Sequence, residues 1–200
     1  MAFSEEVLKR GIVQLLHESA SSESLWRQVR LIPLRWITHG RIEDIPGLGL
    51  TNILPASPPH RNEVATDRSL VQLALPKALE ETDWDARNVR PDITIETSSL
   101  WVAMETKGDH GHFHGTGQPL LYARYAVLSA PGGQAGKRAS IVVVPRAFFE
   151  AHPANVRTWE TWQIEFRRLQ GKDVNFNWGI VLAEDIEHHT NRVLRDTGQK

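Results

Sequence analysis

Two hundred residues suffice for one domain with a buried core, and 40% hydrophobic against 24% charged residues is the balance of an ordinary globular chain. The absence of cysteine excludes disulfides, zinc ribbons and cysteine-ligated iron–sulfur clusters, and leaves metal binding to carboxylates and histidines. A net charge of −1 argues against a broad basic face for nucleic acid, so any such contact must come from local clusters: Arg27/Arg30/Arg35, Arg87/Arg90 or Arg167/Arg168/Lys172, each of which taken singly reads as solvated surface charge.

No apolar run is long enough to span a bilayer, and residues 1–20 are polar-amphipathic with no signal-peptide pattern, so no membrane partner and a cytoplasmic location are expected. Residues 4–18 are predicted helical, with Leu8, Ile12, Leu15 and Leu16 at helical spacing and Ser4 as N-cap. Residues 40–60 are dense in Gly and Pro and read as a loop or short irregular pieces. Residues 62–81 read as a helix with Val64, Leu70, Leu73 and Leu79 on its apolar side and a kink at Pro76. Two strands follow, 92–97 and 100–107, and then a helix over 119–130 with Pro119 in its first turn. The β-branched run 139–145 is a buried strand. Residues 155–170 form a helix whose Trp159, Trp162, Phe166 and Leu169 make a core stripe, and 175–183 is a last strand. The order implies an α/β domain, a mixed central sheet flanked by helices, spanning 1–200. Within it, 1–60 is an N-terminal helical and loop extension, 62–145 the core, and 146–200 a C-terminal helix and strand.

The two strands at 92–107 carry the chemistry. With Ser98 and Ser99 as the tip of a hairpin, Thr97 pairs with Leu100 and Asp92 falls opposite Glu105. Opposed side chains have Cβ atoms about 4.5–5.5 Å apart, so two carboxylates there repel unless a cation sits between them, and Mg²⁺ suits that oxygen geometry. Strand alternation puts Ala103, Glu105 and Lys107 on one face and Leu100, Val102, Met104 and Thr106 on the other. Thr106 is turned away, but its carbonyl stays near the site as a candidate backbone ligand. An ammonium beside such a metal holds or helps deprotonate a water, which is the equipment of metal-assisted phosphodiester hydrolysis. The competing reading is three surface charges on a solvated strand face.

Pro91-Asp92 on one strand and Glu105-Thr106-Lys107 on its neighbour resemble the PD-(D/E)XK nuclease superfamily. Gln118-Pro-Leu-Leu-Tyr122, on the helix after the second strand, is similar to the Gln-x-x-x-Tyr motif of its RecB-like and lambda-exonuclease-like branch. The resemblance covers roughly residues 62–145 and implies a restriction-endonuclease-like core and a DNA substrate. It implies that Asp92 and Glu105 bind Mg²⁺ or Mn²⁺ and that Lys107 orients or activates the attacking water. Glu63, with Asp67 as rival, would bind a second metal. Gln118 would orient Lys107 or contact a phosphate, supported by Tyr122, with Tyr125 as the alternative partner. The chain lacks a phosphate-binding P-loop and has no room for a helicase motor, which leaves a stand-alone nuclease, homo-oligomeric, or one subunit of a larger nucleic-acid-processing complex.

Two rivals stand beside a deoxyribonuclease of restriction or end-processing type. One is a catalytically inactive nuclease-like module for DNA binding or assembly. The other is a histidine-metal enzyme using His110, His112 and His114, and His188/His189. Glycines at 108, 111, 115 and 117 break any strand through the triplet, so those histidines read as a loop at the lip of the site.

Overall fold

The computed structural model describes residues 4–65, 91–109, 111, 118–129 and 136–196. Helix α1 spans Glu5–Ser19, and the Ser4 side chain caps it by accepting from the Val7 backbone N–H at 3.2 Å. Its buried stripe is Leu8, Ile12, Leu15, Leu16 and Ser19. Helix α2, Glu23–Arg30, repeats the device with Ser22 as cap and buries Leu25, Trp26 and Val29. The sequence reading placed no element here, because eight residues give too short a window for a periodicity to stand out.

Residues 50–60 are the short irregular pieces expected, with one 3-10 turn at Leu50–Asn52, but residues 41–49 depart from the expected loop. Strand β1, Pro33–Thr38, turns at His39-Gly40 into β2, Arg41–Gly49, and the two pair antiparallel from Thr38↔Arg41 onward. Both turn residues have positive φ, 50° and 75°, the mark of the tight hairpin turn that follows a strand's own twist. Pro46 and Gly47 are tolerated because β2 is an edge strand and the register shifts there, with Gly47 at φ 76°. A stretch rich in Gly and Pro is therefore a hairpin with a bulge.

The helix expected over 62–81 also differs where it is described. Arg61–Glu63 is a single 3-10 turn, and Val64–Ala65 form a short strand, β3. The backbone pairs Val64↔Ile95 and Ala65↔Thr94 bind this segment to the sheet edge, which overrides its helical pattern. Residues 66–81, with Asp67 and Pro76, lie outside the described residues, as do Arg87 and Arg90.

Strands β4, Ile93–Thr97, and β5, Leu100–Thr106, form the expected hairpin in the expected register, Thr97↔Leu100 through Ile93↔Met104. Helix α3, Gln118–Ser129, crosses to β6, Lys137–Val144, parallel to β5. Helices α4, Arg146–Glu150, and α5, Pro153–Lys172, lead to β7, Phe176–Leu182, parallel to β6. Helix α6, Ala183–Asp196, follows directly. The sheet has seven strands in the order β2-β1-β7-β6-β5-β4-β3, with a parallel centre and antiparallel flanks.

Each face of the sheet carries its own core. One joins Leu8, Ile12, Leu16, Trp26 and Val29 of the first two helices to Ile93, Ile95, Val102, Met104 and Ile141. The other joins Tyr122, Ala126, Phe148, Trp159 and Phe166 to Trp101, Ala103, Val142 and Trp178. All of β5 is buried, as a central strand covered on both faces must be. Residues 33–49, expected in an extension, thus belong to the same sheet as the β4–β5 hairpin. Among the described residues no helix is long and apolar enough to cross a membrane.

One buried side chain completes the sheet where strands part. β1 meets β7 only at Arg35↔Ile180. Beyond it, Gln163 of α5 takes over: its Oε1 accepts from Ile37 N–H at 2.6 Å and from Trp159 Nε1 at 3.1 Å, and its Nε2 donates to Ile37 C=O at 2.7 Å. Gln163→Leu removes these three hydrogen bonds and leaves the Ile37 N–H and C=O without their side-chain partner. Urea unfolding is expected to show a loss of about 2–4 kcal/mol; a loss below about 0.5 kcal/mol would mean the strand end finds other partners.

Candidate functional site

The hairpin register brings Asp92 and Glu105 to one end of the sheet, where the centre of β5 runs out. Glu105, Lys107 and Asp92 are 2%, 4% and 4% exposed, which eliminates the reading of them as solvated surface charges. Glu105 lies on the face of Ala103, and Lys107 follows the strand end, its backbone N–H donating to Val143 C=O at 3.0 Å. The chain then turns back, Gly111 N–H to Gly108 C=O at 3.0 Å. A Cβ on Gly111 would stand 3.1 Å from the Lys107 Cβ and 3.2 Å from its Cδ, so the missing side chain lets the loop cover the lysine stem. His110, His112 and His114 lie outside the described residues.

Four contacts organise the charges. Lys107 Nζ donates to Glu105 Oε1 at 2.6 Å. Tyr122, fully buried on α3, donates its hydroxyl to Glu105 Oε2 at 3.0 Å, so both oxygens of that carboxylate are held. Thr106 donates its backbone N–H and its hydroxyl to Asp92 Oδ2, at 2.8 and 2.9 Å. Asp92 precedes the first paired residue of β4, so its side chain is free of the pleat and hooks across to Thr106. The contact shown by Thr106 is therefore with Asp92, through groups other than the carbonyl considered in the sequence.

Two residues that the sequence reading did not single out complete the cluster. Glu5 Oε2 is 3.6 Å from Lys107 Nζ, and Lys9 Nζ is 3.7 Å from Asp92 Oδ1. Both come from the first turns of α1. Positions 5 and 9 continue the helical stripe of Ile12, Leu16 and Ser19, and a stripe that turns charged at one end was the signal available in the sequence.

The remaining candidates are placed as follows. Glu63 is not brought to the cluster: its Oε2 accepts from the His60 N–H at 2.5 Å, and β3 pairing sets it beyond Ile95, toward the hairpin tip. Gln118 is the first residue of α3. Tyr125 packs on Trp101 at 5.2 Å, away from Glu105. Of the basic clusters, Arg35 is buried and paired with Asp44 and Asp185, Arg27 with Glu23, and Arg168 with Glu165, while Arg167 lies over the Trp36 ring.

Electrostatics single out Glu105. Burial, then the nearby Asp92 charge, push its carboxyl up to about 7, against the pull of Lys107 and Tyr122. For Lys107, burial acts downward but the charges of Glu105, Glu5 and Asp92 outweigh it and raise the ammonium above its ordinary value. The cluster thus holds a carboxylate that wants more positive charge than one lysine gives. Two carboxylates, Asp92 just before β4 and Glu105 on β5, are hard oxygen donors of the kind Mg²⁺ takes. No group of three or more His, Asp and Glu side chains able to hold a metal is present among the described residues. The donor chemistry nevertheless fits a dication, which would relieve the raised carboxyl.

The sign of the pH effect follows. Glu105 is protonated in folded and unfolded chains below about pH 4.5, and its burial then costs nothing extra. As pH rises toward 7 the unfolded chain releases the proton first, so stability falls, by up to about 3 kcal/mol above pH 7. Urea unfolding at pH 5 and pH 8 is expected to show this loss in the wild type and not in Glu105→Gln. An equal change in both proteins would assign the effect elsewhere.

Against family models, curated proteins and solved structures, the chain matches none.

Proposed function

We propose that the chain is a metal-dependent nuclease that hydrolyses DNA phosphodiester bonds, with a restriction-endonuclease-like core of the PD-(D/E)XK type. The observation that carries this reading is the buried Asp92–Glu105–Lys107 cluster at the carboxyl end of a parallel strand, where open α/β sheets place their sites. Burial matters because two carboxylates held close together away from water are costly, and groups perturbed in this way cluster at functional sites.

Mg²⁺ or Mn²⁺ bound there would neutralise phosphate charge and acidify a water. Asp92 and Glu105 would hold it. Thr106 fixes Asp92 by one oxygen, and Tyr122 with Lys107 fixes Glu105, so neither carboxylate has to be ordered when substrate arrives. The Lys107 ammonium, raised and therefore charged, orients the attacking water and offsets charge as the phosphate becomes more negative. In the sequence resemblance Tyr122 supports Gln118; its hydroxyl on Glu105 gives it a second task, holding the acid's geometry and favouring its ionised form. Glu5 is better placed than Glu63 to supply a third carboxylate.

Cleavage of linear and circular DNA with Mg²⁺ or Mn²⁺ tests the reading. Lys107→Met, folded as judged by circular dichroism, is expected to cut at least about a hundredfold more slowly. Wild-type protein that binds DNA but cuts neither DNA nor RNA with either metal would favour the inactive binding or assembly module. Restoration of cutting by zinc alone, lost in His112→Ala, would favour the histidine-metal enzyme.

Tyr122→Phe removes a hydrogen bond that favours the Glu105 carboxylate. The acidic limb of the pH–rate profile is expected to move up by about half to one pH unit. An unmoved limb would show that Glu105 does not set it.

A further inference from the structure

The two lysines of the cluster are held very differently. Lys107 is locked: its ammonium lies 2.6 Å from Glu105 and 3.6 Å from Glu5, and its side chain is 5% exposed. Lys9 approaches Asp92 Oδ1 at 3.7 Å, beyond hydrogen-bond reach, and its side chain is 16% exposed. Charge alone orders that contact, on a four-carbon stem that can turn elsewhere. A dication held by Asp92 repels the Lys9 ammonium from the same carboxylate. Metal binding and the Lys9–Asp92 contact therefore compete, and the displaced ammonium stays on α1 at the mouth of the cluster. The most negative group that enters there with a nucleic acid is the phosphate to be cut.

We propose that Lys9 is a phosphate-binding residue of this site: it holds Asp92 in the metal-free chain and passes to a non-bridging oxygen of the scissile phosphate when metal and substrate are bound. The inference rests on the nuclease reading given under Proposed function and adds to it a residue outside the hairpin. It also assigns α1 a task besides covering the core, because Ser4 capping and the Leu8–Leu16 stripe fix where Lys9 stands.

The test uses the full chain, with Lys9→Met and Lys9→Arg, and two separate readouts. Mg²⁺ affinity is measured by calorimetry without DNA, and kcat and KM for cleavage are measured with DNA at saturating Mg²⁺. Lys9→Met is expected to bind Mg²⁺ more tightly, by up to about tenfold, yet to show a KM for DNA raised about tenfold. Lys9→Arg should recover most of the DNA affinity. Opposite movement of the two affinities is what a merely structural ion pair would not give. Weaker Mg²⁺ binding by Lys9→Met would overturn the proposal in favour of simple support of Asp92. Unchanged KM and Mg²⁺ affinity, with Lys107→Met still inactive, would overturn it while leaving the nuclease reading intact. A wild-type protein that cuts no nucleic acid would remove both.

Discussion

The turn at Ser98–Ser99 sets the register of β4 against β5, and Asp92, Glu105 and Lys107 take their places from that register. With Thr97 opposite Leu100, the apolar residues Ile93, Ile95, Val102 and Met104 all face the core beneath the N-terminal helices. Trp101 and Ala103 face the opposite core. A slip of one residue would exchange the two faces and bury Glu96 among leucines. The hydrophobic pattern therefore enforces the pairing, and the pairing in turn delivers Asp92 and Glu105 to the same end of the sheet. The site is a consequence of how β5 is buried.

Burial of that strand on both faces makes the chemistry costly and useful together. A carboxylate in the dry end of a central strand is hard to ionise, which is why Glu105 sits near neutrality. Lys107 and Tyr122 only partly offset this. Removing one partner of such a pair costs about 3–5 kcal/mol, so the arrangement persists only if the surrounding fold is stable enough to carry it. The seven-stranded sheet with a core on each face provides that, and α1 closes the cluster from the side with one carboxylate and one ammonium.

What could be read in the sequence was what depends on short-range pattern. The hairpin, its register and the shared face of Glu105 and Lys107 follow from two-residue alternation and one turn. Tyr122 was marked by the resemblance to the Gln-x-x-x-Tyr motif, and the choice between it and Tyr125 needed the packing of α3, which turns one tyrosine to Glu105 and the other to Trp101. What was hidden depends on distant partners. Lys9 and Glu5 lie 83 and 102 residues from the groups they meet, and only the packing of α1 on β5 brings them together. The β1–β2 hairpin was masked by Pro46 and Gly47, residues that break a central strand and are tolerated on an edge. Val64 and Ala65 have a helical pattern in the chain and a strand's partner in space. Gln163 looks like an exposed polar residue of a helix until its position beside Ile37 is known.

The central claim is that Asp92 and Glu105 together hold a divalent cation. Anomalous X-ray scattering from crystals soaked in Mn²⁺ tests it most directly. The account predicts an Mn²⁺ peak at the Asp92 and Glu105 carboxylates. Saturating Mn²⁺ with no peak at those residues would contradict it.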